Sequence, residues 1–449
     1  MRNHGGDLLE SGARENTMNR YNLISFGGLF VLIFLGWLLS ANRKVFNWRA
    51  VAGGLALQLV FGAFIFFVPA GTTLFLWLND AVMKVLDAAQ AGIKFCFGPL
   101  AAGPGQPGSP GFILALQALP TIVFFATLMD VLYYLKVMQH IVNGFTRLFT
   151  RLLRISGAES LATASNIFVG IEAAVVVRPY LATMTRSELA LVLTSGFATV
   201  ASSTLGLYVM LLHQSFPTIA GHLMSASLLG APAAIVMAKL LMPETEQPET
   251  LGQIVPPHYE KPASLIESAI NGANAGGKLV MGVIVLLLAF IGLMELLNLG
   301  LDGIAVLIEK IFHVHWNLRL ENLLAYVFYP FALLIGVSPA DAWEVGRLLG
   351  LRFVLTEIPA YQELARLMAS GALHDPRSAV LASYALCGFA HIPSIAIFVG
   401  GTAALAPNQT RNLAAVAFRA LLAATLACLM IAAIAGTFYG HGALVLTPK

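Results

Sequence analysis

The chain has 449 residues, of which 58% are hydrophobic and 11% charged, with mean hydropathy +0.79 and formal net charge +3. Soluble domains carry roughly 25% charged residues, so a soluble protein is excluded, and basic residues scattered through loops exclude a nucleic-acid partner. Two of the three cysteines, Cys387 and Cys428, lie inside apolar runs and the third is Cys96, which argues against a disulfide framework.

Residues 1–20 read as a polar, disordered tail with no cleavable signal pattern. Residues 21–40 and 50–69 are apolar enough to span a bilayer core of about 30 Å. Phe26, Phe30 and Phe34 in the first of them read as lipid-facing. Residues 80–97 carry Asp80, Lys84, Asp87 and Lys94 and read as an interfacial helix. A third span is expected at 111–135, containing Pro120, and completes an N-terminal scaffold over 21–135. A basic amphipathic stretch at 136–154 then opens the first repeat, 136–242. Within it, residues 156–183 form two half-segments too short to span, separated by Gly170-Ile171-Glu172, as in a re-entrant hairpin. Residues 187–213 read as a broken helix and 219–242 as a span. The region 243–319 holds a Pro-rich linker, an interfacial stretch at 263–278 and a span at 279–299. His313 and His315 beyond it read as a solvated loop. The second repeat, 320–438, repeats the plan: a lead-in, a hairpin at 338–370 with Thr356-Glu357 between its arms, a broken helix at 377–405 and a closing span at 412–438.

The repeat is carried by a phrase that occurs twice. Gly196-Phe197-Ala198-Thr199-Val200-Ala201-Ser202 matches Gly388-Phe389-Ala390-His391-Ile392-Pro393-Ser394, each in mid-segment where a membrane helix should be unbroken. Paired interruptions in two halves are the sequence mark of an inverted-repeat secondary transporter, whose solute and coupling ion bind at unwound helix breaks. The fold class expected is therefore an all-α polytopic membrane protein with two re-entrant hairpins and two broken helices. Basic residues in short loops place Arg43, Lys44, Arg49 and the 136–154 stretch on the cytoplasmic side. The two hairpins then enter from opposite faces.

Glu172 and Glu357, at matching hairpin tips, are the sharpest chemical signals. A carboxylate at bilayer depth costs at least roughly 2.5 kcal/mol on insertion scales and usually serves function. They are read as acceptors for hydroxyl groups of a polar solute; the competing reading pairs them with Arg178 or Arg352. Thr199 and Ser202 in the first break, and His391 and Ser394 in the second, offer hydroxyls beside unwound carbonyls. Hydroxyls that merely bond the preceding turn are the alternative, favoured for Ser202. His391 is a solute ligand, a proton carrier or a packing histidine. The Asn166 amide oxygen is placed to reach a cation near the first tip, or else caps a helix.

Several motifs resemble the concentrative nucleoside transporter family. They are Gln117-Ala118-Leu119-Pro120-Thr121, Ser165-Asn166-Ile167-Phe168-Val169-Gly170, Arg178-Pro179-Tyr180-Leu181, Thr356-Glu357 with Ala360-Tyr361, and Tyr384-Ala385-Leu386-Cys387-Gly388-Phe389-Ala390. The resemblance implies a homotrimer of protomers with about eight spans in a bacterial inner membrane, importing nucleosides with Na⁺ or, in some members, H⁺, and no enzymatic activity. It puts the ribose-binding glutamates on Glu172 and Glu357, and the aromatic and serine of the second break on Phe389 and Ser394. It puts Na⁺ ligands on Asn166, the Val169 carbonyl, Thr199 and the Val200 carbonyl, and a residue beside the base on Thr204. Two departures bear on substrate. Ile171 stands in a tip one residue shorter than usual, without the Gln and hydroxyl that read the base. His391 stands where the family has Asn. The function expected is a cation-coupled importer, Na⁺ favoured, of nucleosides or nucleoside-like solutes. The alternative is an H⁺ symporter of another hydroxylated solute or a nucleobase, with His391 as proton carrier. A membrane enzyme built on Glu172, Glu357 and His391 lacks an accompanying metal cluster or nucleophile–base pair.

Overall fold

The computed structural model describes residues 20–103, 107–170, 172–313 and 318–440. Residues 1–19, Ile171 and His315 lie outside the described residues. The described residues are all-helical, and seven helical runs, two of them interrupted (Leu114–Tyr134 and Arg186–Leu212), are long and apolar enough to cross a membrane. The elements open with α1 (Arg20–Leu38), α2 (Trp48–Phe66), α3 (Pro69–Phe97), α4 (Leu114–Gln117), α5 (Thr121–Tyr134) and α6 (Val137–Leu153). The chain continues with α7 (Gly157–Asn166), α8 (Ala173–Val176), α9 (Arg178–Leu181), α10 (Arg186–Ala198), α11 (Ser202–Leu212) and α12 (Ile219–Leu241). Then follow α13 (Leu265–Phe312), α14 (Leu320–Leu334), α15 (Ala342–Val354), α16 (Glu357–Ala369), α17 (Pro376–Leu386), α18 (Ile392–Leu405) and α19 (Thr410–Phe438).

Three boundaries differ from the sequence reading, each for a local reason. The interfacial helix expected at 80–97 begins at Pro69, directly after α2. Pro69 occupies the first helical turn, where a missing N–H costs nothing, so it starts α3 instead of closing the second span. The third span is interrupted: α4 ends before Pro120 and α5 begins after it. The stretches expected separately at 263–278 and 279–299 form one helix of 48 residues. Ser264 caps its start by accepting the Glu267 N–H, and nothing within the run breaks it. The polar residues Glu267, Asn271, Asn274 and Lys278 changed its polarity, not its conformation.

Burial divides the helices into two groups. The span windows within Arg186–Leu212, Ile219–Leu241 and Pro407–Phe438 are each 89% buried, against 6% for that of α13. The core is therefore α10, α11, α12 and α19, while α13 forms an outer wall packed along α5. That crossing depends on glycine. A Cβ on Gly276 would lie 2.7 Å from the Val123 Cα, and one on Gly272 2.7 Å from the Thr127 Cα, so the two backbones meet without side chains between them.

The segment from Ser156 to Thr185 is fixed at both ends. Ser156 caps α7 and Thr185 caps α10, each in a reciprocal capping box with Glu159 and Glu188. The two boxes are joined where the Ser156 hydroxyl donates to Glu188 Oε1 at 2.6 Å. Lys239, 3% exposed, reaches in from α12 to pair with Glu159 and to donate to the Ser187 hydroxyl at 2.9 Å. Removing one partner of a buried pair leaves an uncompensated charge, at about 3–5 kcal/mol. We expect Lys239→Met to lower the melting temperature by several degrees and Lys239→Met/Glu159→Gln to recover part of the loss, measured by thermal unfolding in detergent. A single mutant as stable as the parent would remove this latch from the account.

Candidate functional site

Both broken helices stop where the backbone leaves the helical region. α10 ends at Ala198 and α11 starts at Ser202, with Thr199 extended at φ −120°, ψ 162° between them. α17 ends at Leu386; Gly388 has φ 122°, a left-handed value open to glycine alone at little cost. A Cβ on Gly388 would also lie 2.8 Å from the Phe197 carbonyl oxygen, because the two breaks cross there. The turn before Gly170 is held against the first break and against α12. The Ser202 N–H donates to the Phe168 carbonyl at 2.8 Å, and the Ser227 hydroxyl of α12 donates to the Ile167 carbonyl at 2.7 Å.

Tips and breaks meet at a cavity of about 230 Å³. It is lined by Glu172 and Gly170 from the first tip, Thr356 and Glu357 from the second, Thr204 after the first break, and Phe389, His391 and Ser394 from the second. Leu279, Gly282, Val283, Leu286 and Leu287 of α13 close it, with Lys278 at the end of that wall. Ligand pockets usually measure roughly 300–1,000 Å³, so this one suits a single small solute. Hollows of about 400 and 570 Å³ near Trp48 and beside α3 contain neither tip.

The polar geometry centres on Glu357, 2% exposed. Its Oε1 accepts the Tyr208 hydroxyl at 2.6 Å, and its Oε2 lies 2.9 Å from His391 Nε2. His391 caps α18: its Nδ1 accepts the Ser394 N–H at 3.2 Å. The Ser394 hydroxyl lies within 3.1 Å of both ring nitrogens, so the imidazole sits between that serine and the Glu357 carboxylate. Glu172 is exposed to the cavity, and its Oε2 accepts the Gly170 N–H at 3.1 Å. Neither glutamate takes the arginine partner weighed from sequence. Arg178 pairs with Glu260 at 3.5 Å, and Arg352 donates to the Ala385 carbonyl at 2.9 Å.

A second group lies behind the first tip. Asn166, buried, donates from Nδ2 to the Ser195 hydroxyl at 2.9 Å, while its Oδ1 has no hydrogen-bond donor. The Thr199 hydroxyl donates to the Ser195 carbonyl at 2.8 Å, leaving its oxygen as an acceptor. The Val200 carbonyl has only a long contact from Ser227, at 3.4 Å. An orphaned buried carbonyl oxygen beside other oxygens is what a small hard cation requires. Thr204 lines the cavity and donates to the Ala201 carbonyl at 2.9 Å.

Tyr208 and the α13 wall went unread in the sequence. Tyr208 had a usable signal: it is the sole hydroxyl in the run Leu205–Leu212, and a buried tyrosine needs a partner. The wall residues had none, being ordinary members of an apolar run.

Seven apolar helices, two crossed helix breaks and a cavity between them define a membrane transporter. The chain belongs to the Na⁺ dependent nucleoside transporter family. Its N-terminal model matches residues 27–100, its C-terminal model residues 222–436, and a nucleoside recognition model residues 115–215 between them. An uncharacterized transporter of Haemophilus influenzae is 39% identical over 94% of this chain and 99% of its own. Human solute carrier family 28 member 3 is 36% identical over 93% of this chain, which spans 60% of that longer protein. The structure of CNTnw in an inward-facing substrate-bound state superposes with TM-score 0.85 at 37% identity, covering 95% of this chain and all of CNTnw. The protein is thus a multi-pass membrane transporter of nucleosides and not an enzyme.

Proposed function

We propose that the protein is a Na⁺-coupled symporter that imports nucleosides or nucleoside-like polar solutes across a bacterial inner membrane, as a homotrimer whose two hairpins are re-entrant. The observation that carries this is the convergence of both tip glutamates, His391 and Ser394 on one cavity, with the unpartnered Asn166 oxygen behind it. Glu172, Glu357, His391 and Ser394 take the sugar hydroxyls by charge-assisted hydrogen bonds. Phe389 and the α13 wall take the flat, apolar face of the base beside Thr204. Na⁺ takes Asn166 Oδ1, the Val169 carbonyl, Thr199 Oγ1 and the Val200 carbonyl. Its charge is added beside the carboxylates, and its oxygen set joins hairpin to break.

Base recognition is weak in this arrangement, because Ile171 offers no hydrogen bond and the wall is apolar. A site without polar readout discriminates isosteric ligands poorly. We expect uridine and adenosine to be taken up with KM values within about tenfold of each other; base-selective, high-affinity uridine transport would overturn this part of the reading.

The His391–Glu357 contact favours one competing mechanism, H⁺ coupling with the proton carried by the imidazole. Uptake into proteoliposomes separates the two, since an imposed Na⁺ gradient at equal pH drives only the first and an inward pH gradient without Na⁺ only the second.

A further inference from the structure

We propose that Arg352 is a tethered cation that occupies, in the second repeat, the place an exchangeable cation takes in the first, so that each transport cycle carries one coupling cation. This rests on the cation-coupled reading above and extends it to the number of cations moved.

The two repeats make the same link with opposite chemistry. In the first, Asn166 on the leading arm of the hairpin, six residues before Glu172, reaches the end of α10, the helix that stops at the break. In the second, Arg352 on the leading arm, five residues before Glu357, reaches the end of α17, which stops at the other break. Among the described residues, Asn166 leaves an acceptor oxygen without a donor, and Arg352 leaves two donors, Nε and Nη2, without an acceptor. One junction lacks a positive charge and the other contains one.

The helix ends explain why a cation belongs at both. The last carbonyls of a helix have no intrahelical partner and carry the negative end of its dipole. A break in mid-membrane puts such an end where water does not reach it. At α10 the oxygens of Thr199 and Val200 stand just beyond Ala198. At α17 the guanidinium donates to Ala385 O, within the last turn. Arg352 is 0% exposed. A buried, incompletely paired guanidinium is costly and is held here against the carbonyl end of a helix. The second junction is already filled, leaving the first for the ion that enters and leaves.

The test uses the full-length protein in proteoliposomes with uridine as probe, recording the Na⁺ dependence of uptake and the charge moved per uridine. We expect a Hill coefficient of 1 for Na⁺ and one charge per uridine. Arg352→Lys should keep uptake within about threefold. Arg352→Gln, folded by circular dichroism and size exclusion, should lose at least tenfold, and its residual uptake should depend on Na⁺ more steeply, the coefficient moving toward 2. Two cations per uridine in the parent protein would overturn the proposal. So would Arg352→Gln with unaltered uptake, or with reduced uptake and a coefficient still at 1, which marks a merely structural role. If Arg352→Gln does not fold, the parent stoichiometry decides. If uptake ignores Na⁺ and follows the pH gradient, the Na⁺ assignment fails, while one H⁺ per uridine upholds the tethered cation and two overturn it.

Discussion

Glu357→Gln should abolish uptake while leaving the protein folded, and Glu172→Gln should do the same. The amide matches the carboxylate in volume, so the packing around α16 is retained. The chemistry is not. Glu357 receives Tyr208 on one oxygen and places the other 2.9 Å from His391 Nε2. A glutamine replaces one acceptor oxygen with a donor NH₂ and removes the negative charge from both contacts. Charge-assisted hydrogen bonds are worth about 1.5–3 kcal/mol each, and 1.4 kcal/mol is tenfold in affinity. Two lost bonds to the solute correspond to a loss on the order of 10²–10⁴ in uptake at subsaturating substrate. Among the described residues Glu172 is held by the Gly170 N–H, so its substitution disturbs less protein and reads the solute contact more cleanly. Uptake rates by both variants within threefold of the parent, at equal reconstitution, would remove these residues from the site.

The second large effect is expected at the ion site. Asn166→Ala removes the buried, unpartnered Oδ1, and Thr199→Ala removes a hydroxyl oxygen whose proton is already committed to Ser195. Each deletes one of four oxygens from the proposed Na⁺ shell. We expect the Na⁺ concentration for half-maximal uptake to rise at least tenfold in each, with saturating uptake less affected. His391→Gln should raise the KM for solute and leave Na⁺ dependence in place, because His391 lines the solute cavity and not the Asn166 group. The opposite pattern, with Na⁺ dependence unchanged in Asn166→Ala and coupling lost in His391→Gln, would transfer the coupling role to the imidazole.

The sequence showed the breaks and tips because each violates what a membrane helix needs. A carboxylate in mid-segment is costly at that depth, so Glu172 and Glu357 stood out, and both Gly-Phe-Ala phrases stood out by recurring at matching places, without any knowledge of contacts. Element boundaries were harder. Pro69 terminates one helix reading and begins another, and only the position of the chain at residues 67–68 decides between them. The change from polar to apolar near residue 278 looks like an end, yet α13 passes through it because polarity sets which face meets lipid, not whether the backbone stays helical. The second arm of the first hairpin was expected as one apolar half-helix. It forms two single turns, α8 and α9, with Pro179 lacking the N–H that a continuous helix would use. Pairings remained invisible. Nothing in the sequence joins Tyr208 to Glu357 across 149 positions, or separates Arg352 from Glu357 as partners. Those depend on how α11, α16 and α17 pack, which no local pattern carries.

The most direct test of the central claim is uptake of a labelled nucleoside into proteoliposomes under an imposed inward Na⁺ gradient, with pH equal on both sides and no other energy source. The account expects transient accumulation above the external concentration, abolished when K⁺ or choline replaces Na⁺ and absent in Glu357→Gln. Equilibration without accumulation, or accumulation indifferent to Na⁺, would contradict it.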